Sequence, residues 1–379
     1  MILRLVCCLI LLCSGAQAQV TIDPARTVVR DGWWQLEVQV GLSKMTPYRL
    51  FTLDNPRRLV VDFQDVVWPD IAAQTLVSGD RATGLRFGAW GAKWGRMVVD
   101  LAGPMAVQEA AMQTGDQGAQ LTIILGRSDA QSFAAAAGAP AGADDFAPLV
   151  LPRSDASRFR VVIDPGHGGI DPGALREGLT EAALMLQLGR EVVNALDALE
   201  GVDAVLTREA DVFVPLYARV QMARDAGADL FISLHADALE EDAASGASVY
   251  TLSTDGGSVA ADRMIARHEA GDLLAGVDLA QQGDSIAALL MDLARDRTGP
   301  QGHAFAEILI AQMQAAGVRV NSSAHRSGQL AVLSAADFPS VLVEVGFLSN
   351  AQDRADLIAP QSRARIVTAI VAAVNQFAR

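Results

Sequence analysis

From residue 160 to the C-terminus, short apolar, β-branched runs alternate with segments of helical period, and few folds accommodate that alternation. Strand-like runs lie at 160–163, 203–207, 229–234, 247–252, near 329–333 and at 341–345. Helical patterns cover 181–199, 215–226, much of 258–316 and 361–377. Strands that are apolar at nearly every position are buried on both faces, so residues 159–379 are expected to form an α/β domain with a mixed, mostly parallel sheet flanked by helices. Upstream, residues 20–126 follow another rule. Runs at 35–40, 49–53, 58–63, 85–87, 96–101 and 121–125 are punctuated by turn residues with little helical period, which predicts a small all-β sandwich. Between them, 127–158 is dominated by Ala, Gly, Ser, Asp and Pro and reads as a flexible linker.

Residues 1–18 combine Arg4, an apolar stretch at 5–12 and Ala16-Gln-Ala18, the layout of a cleavable export signal. The stretch is too short to span a bilayer, and no later one reaches the ~20 apolar residues of a transmembrane helix. Cys7, Cys8 and Cys13 all lie in this leader, so the mature chain is expected to carry no thiol and no disulfide. The net charge of −14 is uneven: 11 basic and 11 acidic residues in 19–127, against 18 and 33 in 128–379. That balance argues against nucleic-acid binding. An anionic polymer would have to be held by local contacts instead of overall attraction.

Of five histidines, two follow strand-like runs: His167 in Asp164-Pro-Gly-His167-Gly-Gly-Ile-Asp171, and His235 in Ser233-Leu-His235-Ala-Asp237. Open α/β sheets place ligand sites at the carboxyl ends of their strands. Glu181 opens a helical segment with Thr180 as its N-cap, so its carboxylate can point back towards those ends. Taken alone, Glu181 reads as a first-turn carboxylate set against the helix dipole. Two imidazoles and one carboxylate together are the ligand set of a catalytic zinc with a fourth position open to water, which predicts hydrolysis. Glu344 interrupts the apolar run Val341-Leu-Val-Glu344-Val, where a carboxylate is costly unless paired or near a cation. It reads as the general base for water that the metal acidifies towards a pKa of ~7. Asp164 and Asp171 are both candidates to hold a ligand imidazole from behind, and the sequence does not choose between them.

These residues sit in a series of motifs: Asp164-Pro-Gly-His-Gly-Gly169, Leu206-Thr-Arg208, Val214-Pro-Leu-Tyr-Ala-Arg219, the stretch from Gly227 to Asp237, and Val343-Glu-Val-Gly-Phe-Leu-Ser-Asn350. In that order they resemble the zinc-dependent N-acetylmuramoyl-L-alanine amidases of the Amidase_3 type, in particular the periplasmic division amidases of the AmiC kind. The resemblance implies one Zn2+ on His167, Glu181 and His235, with Glu344 as catalytic acid/base. It implies hydrolysis of the amide between N-acetylmuramic acid and L-alanine in peptidoglycan, for wall remodelling and daughter-cell separation, in a periplasmic protein enriched at the septum. Residues 20–126 resemble the AMIN domain, a peptidoglycan-targeting module, through Leu53-Asp-Asn-Pro-Arg-Arg-Leu-Val-Val-Asp62 and Leu85-Arg-Phe-Gly88. Within it, Trp90 and Trp94 occupy a turn-rich stretch and are candidate glycan contacts. Residues of about 255–300 are similar to a helical insertion that covers the zinc in division amidases. That implies Glu269 as a carboxylate plug and a LytM-domain protein as activator. Two alternatives stay open: a zinc peptidase cutting within the stem peptide, and a non-catalytic wall-binding scaffold.

Overall fold

The computed structural model describes residues 19–91, 93–140, 158–238, 245–252, 297–328, 330–333, 335 and 337–379. The N-terminal part contains β1 (Val20–Asp31), β2 (Gln35–Leu42), β3 (Tyr48–Leu53), β4 (Arg58–Gln64), β5 (Val66–Val67), β6 (Val77–Ser78), β7 (Ala82–Trp90), β8 (Trp94–Leu101), β9 (Met105–Gly115) and β10 (Gly118–Arg127). One sheet runs β5-β1-β2-β10-β9, with β6 also on β1, and the other β3-β4-β8-β7. Alternation along β2 turns Leu36, Val38, Val40 and Leu42 inward, onto Leu59, Val61, Phe63, Met97 and Val99 of the second sheet. This is the expected sandwich.

The second sheet is covered on its outer face too, and that explains why β4 reads as a continuous apolar run. Val60 and Val98 join Phe51, Leu53 and Trp90 in a cluster with Ile170 and Phe213 of the C-terminal part. Trp90 stacks on Phe213 at 5.2 Å and 16°, and the Arg96 guanidinium lies 3.5 Å from the indole centroid. Phe213 N donates to Ala89 O (3.2 Å) and Gly91 N to Phe213 O (3.3 Å). Gly88 is required here, because a Cβ on it would lie 2.4 Å from Ile170 N. Gly88→Val is therefore expected to unseat the sandwich from the 168–170 loop while both parts stay folded. Small-angle scattering should show a larger radius of gyration, and an unchanged radius with native circular dichroism would refute the contact.

Part of the stretch read as linker is ordered. Residues Ala130–Ala136 form α1, where Asp129 caps the helix by accepting from Ser132 N at 2.8 Å. Phe133, the one large apolar residue in this Ala-rich run, is buried in the sandwich core and anchors the helix there. The remainder, 141–157, lies outside the described residues, as do 1–18.

The C-terminal part contains β11 (Phe159–Pro165), β12 (Leu175–Arg176), β13 (Leu179–Thr180), α2 (Glu181–Leu196), β14 (Val202–Leu206), α3 (Leu216–Ala226), β15 (Leu230–His235), β16 (Ala247–Leu252), α4 (Gly299–Ala315), β17 (Val320–Gly328), β18 (Ser340–Glu344), α5 (Ala351–Ile358) and α6 (Pro360–Phe377). The sheet order is β14-β11-β15-β18-β16-β17. The first four strands are parallel and β16 runs antiparallel to β18. One face packs Ile163, Ile232 and Val343 under α2, α4 and α6, and the other packs Val162, Phe231 and Leu342 under α3 and the 330–338 stretch.

The region after α4 differs from expectation. No strand forms at 330–333. Ala331–Leu333 is a 3-10 turn, and Leu330, Val332 and Leu333 owe their apolar character to packing on Phe231 and Phe338. The strand lies earlier, in polar β17, which among the described residues is an edge strand paired to β16 and so under no pressure to be apolar. Helix α5 was also unanticipated. Asn350 caps it by accepting from Gln352 N and Asp353 N. Of the insertion expected at about 255–300, only Arg297 onward is described, and Glu269 lies outside the described residues. No single helix among those described is long and apolar enough to cross a membrane.

Candidate metal centre

Strands β11 and β15 run side by side, so the chain leaves both at the same sheet edge. Gly166 N donates to Leu234 O at 2.9 Å there. Gly166 leaves no room for a side chain, since a Cβ would meet His235 Cε1 at 2.2 Å. The next residue, His167, has φ +60°, a left-handed conformation that costs a non-glycine residue on the order of 1–3 kcal/mol. Its imidazole is turned back over the strand ends. Asp171 Oδ2 holds its Nδ1 at 2.7 Å, within a turn closed by Gly168 N to Asp171 O (2.7 Å) and Asp171 N to Gly168 O (3.1 Å).

Glu181 is the first residue of α2, whose cap Thr180 accepts from Ala183 N at 3.3 Å. Its buried carboxylate is fixed by Ala236 N on Oε1 (2.9 Å) and Ala174 N on Oε2 (3.0 Å). On the same Oε1 converge His167 Nε2, at 3.2 Å, and His235 Nδ1, at 3.0 Å. The two rings stand edge to face, 5.0 Å apart. Burial disfavours charge on His167, but the Asp171 and Glu181 carboxylates outweigh it and raise its pKa well above the ordinary imidazole value. Burial likewise pushes Glu181 up, yet the two imidazoles hold it well below the usual carboxylate range. A group of donors that stabilises positive charge this strongly is matched to a cation.

Glu344 ends β18 directly opposite His235 in the parallel register. It is fully buried, and its Oε2 accepts from Asp237 N at 3.0 Å. The expected quartet of His167, Glu181, His235 and Glu344 thus meets at one end of the sheet. Of the two aspartates, Asp171 holds the His167 imidazole. Asp164 instead accepts from Thr207 Oγ1 (2.6 Å), Ser233 Oγ (2.7 Å) and Arg219 Nη1 (2.8 Å). Asp171→Ala is expected to leave the fold intact and weaken metal affinity by about 10- to 100-fold, the usual effect of freeing a ligand imidazole. Competition with a chromogenic chelator would measure it, and wild-type affinity would rule out this role.

Two buried arginines had no role assigned from sequence. Arg208 donates to Pro165 O (2.9 Å), Gly166 O (2.9 Å) and Ala182 O (2.8 Å). Arg219 donates to Pro165 O (2.9 Å) and His167 O (2.9 Å). Together they grip the backbone on which His167 is mounted. Burial, then the neighbouring Arg219 charge, pushes Arg208 down to about 10.

The two candidate tryptophans differ in setting. Trp90 is 3 % exposed and stacked on Phe213, so it offers no face to a sugar. Trp94 is half-buried, with the Arg49 guanidinium 4.1 Å from its ring. The exposed indoles are Trp33 and Trp34, at 90 % and 71 %, in the β1–β2 turn.

Comparison with known proteins agrees with this architecture. Residues 161–376 match the N-acetylmuramoyl-L-alanine amidase family, Amidase_3, and residues 28–125 match the AMIN domain. The chain is similar to N-acetylmuramoyl-L-alanine amidase AmiC of Neisseria meningitidis, 31% identical over 353 residues that cover 87% of this chain and 84% of that one. It is 29% identical over 384 residues to AmiC of Escherichia coli, covering 95% and 91%. With AmiA of Escherichia coli it shares 36% identity over 219 residues, covering 57% and 75%.

Proposed function

This chain belongs to the N-acetylmuramoyl-L-alanine amidase family, and on that premise we propose that it hydrolyses the amide between N-acetylmuramic acid and L-alanine in peptidoglycan, with one zinc ion held by His167, Glu181 and His235. The observation that carries the reading is the convergence of His167 Nε2 and His235 Nδ1 on Glu181 Oε1, beside the buried carboxylate of Glu344. The donor set fits zinc: two imidazole nitrogens and a carboxylate oxygen lie within 4.8 Å of one another, and the far nitrogen of His167 is held by Asp171 as ligand imidazoles require. When bound, zinc supplies Lewis acidity towards the amide carbonyl and water.

The rest of the chemistry falls to the protein. Glu344 takes a proton from the attacking water and returns it to the amine of L-alanine as the C–N bond breaks. Burial in β18 and the hydrogen bond from Asp237 N fix its carboxylate at the site. Mass spectrometry of products from purified sacculi tests the reaction. The expected products are glycan strands bearing free lactyl carboxylates and peptides beginning with L-alanine. Cleavage within the stem peptide would overturn the assignment.

The same reading makes residues 1–18 an export signal and places the mature protein in the periplasm at the division septum, with residues 20–126 and α1 as its wall-targeting module. It also makes Glu269, in the insertion, a plug on the metal that a LytM-domain activator displaces. A plug that leaves about 1 % of molecules open is worth ~2.7 kcal/mol. Deleting residues 262–296 is therefore expected to raise basal dye release from labelled sacculi on the order of 100-fold. A zinc-loaded, folded deletion variant with unchanged activity would remove autoinhibition from the account.

A further inference from the structure

A second set of metal donors lies away from the centre described above, on the opposite flank of the sheet. His303 and Glu307 stand one helical turn apart on α4 and so share a face. His325, on edge strand β17, reaches the same face. The His303 and His325 rings are 4.3 Å apart, and His325 Nδ1 lies 2.6 Å from Glu307 Oε1. One donor atom from each of the three residues falls within 4.8 Å of the others.

The far side of His325 is organised as well. Its Nε2 is 3.1 Å from Thr251 Oγ1, and that buried hydroxyl lies 3.5 Å from Arg326 O. The hydroxyl can thus give its own proton to the carbonyl and accept from Nε2–H. In the tautomer that carries its proton on Nε2, the Nδ1 lone pair and the Glu307 carboxylate face one another and can share a bound cation. A divalent metal takes such a set as imidazole nitrogens and a carboxylate oxygen.

We propose that His303, Glu307 and His325 form a second, surface site for a divalent transition-metal ion of the zinc class. Two imidazoles and one carboxylate suit that class better than Mg2+ or Ca2+, which prefer all-oxygen shells. Thr251 supplies the outer hydrogen bond that fixes a ligand imidazole. The ion adds a staple between the polar edge strand β17 and α4, which already meet through the His325–Glu307 pair. Thr251 and His303 stand on either side of residues 253–296 in the sequence, so the staple links the described segments that flank that stretch. This inference does not depend on the reaction proposed above.

The test is zinc stoichiometry of the full-length mature chain, stripped with chelator and then dialysed against micromolar free Zn2+ at neutral pH. The parent is expected to hold two equivalents. His303→Ala and His325→Ala should each hold one and keep wild-type affinity for it, while His167→Ala should lose the other equivalent and retain the surface one. His303 is exposed, so its replacement does not threaten the fold and serves where His325→Ala disturbs β17. A parent that holds a single equivalent overturns the proposal, as does a His303→Ala variant that still holds two.

Discussion

His167→Ala and His235→Ala are each expected to abolish zinc binding together with hydrolysis, whereas Glu344→Gln should keep zinc and lose about 10²- to 10⁴-fold in turnover. The contrast follows from position. His167 Nε2 and His235 Nδ1 share Glu181 Oε1, and Glu181 is already committed to Ala174 N and Ala236 N. Removing either imidazole leaves two protein ligands, and the remaining carboxylate cannot swing to compensate. Glu344 stands beside this group, in register with His235, and its loss removes a proton carrier without removing a ligand. Zinc content by atomic absorption and dye release from labelled sacculi, measured on the same preparations, separate the two outcomes. Full zinc occupancy in His167→Ala would sink the ligand assignment, and near-parental turnover in Glu344→Gln would move the base elsewhere.

The placement of His167, Glu181, His235 and Glu344 at one end of the sheet was legible in sequence because each carries a local signal. A histidine follows an apolar run, a carboxylate follows a cap, and a glutamate breaks an apolar strand. What was not legible depends on contacts between distant segments. Arg208 and Arg219 bond mainly to backbone carbonyls, and Arg219 also to Asp164; their partners in residues 164–167 lie 42 to 55 residues away, and a backbone acceptor leaves no mark on residue identity. Trp90 lies in a glycine-rich stretch that reads as an exposed turn, and its burial depends on Phe213 from the other half of the chain. Strand β17 was missed because an edge strand draws its stability from ladder hydrogen bonds and needs no apolar face. The turn at 331–333 was mistaken for a strand for the opposite reason, since a short apolar run records burial and not secondary structure.

Arg219→Met should be the most damaging single change away from the ligands, destabilising the catalytic part by about 3–5 kcal/mol. Arg219 and Asp164 are both buried, at 2 % and 1 % exposure, and the ion pair is 2.8 Å long. Removing the guanidinium leaves a buried carboxylate held only by Thr207 and Ser233, and it strips the Pro165 and His167 carbonyls of a donor. Replacing both partners, as in Asp164→Leu with Arg219→Met, should recover part of the loss because no uncompensated charge remains. Burial alone would raise the Asp164 pKa. In the native chain Arg219 and the two hydroxyls outweigh it, so the carboxyl sits below its ordinary range. The stability that Asp164 contributes is therefore present above the unfolded pKa and is lost as pH falls through the lower folded value. The gap between parent and Arg219→Met should accordingly be widest near neutrality and shrink in acid. All five tryptophans lie in the sandwich, so indole fluorescence follows that module. Helical circular dichroism follows the catalytic part, which holds α2 to α6. Urea unfolding should shift in the second signal, and in the first only through Trp90, which loses its Phe213 partner when the catalytic part unfolds. A loss below about 1 kcal/mol, no larger than a surface ion pair is worth, would show that the arginine does not hold the His167 loop in place.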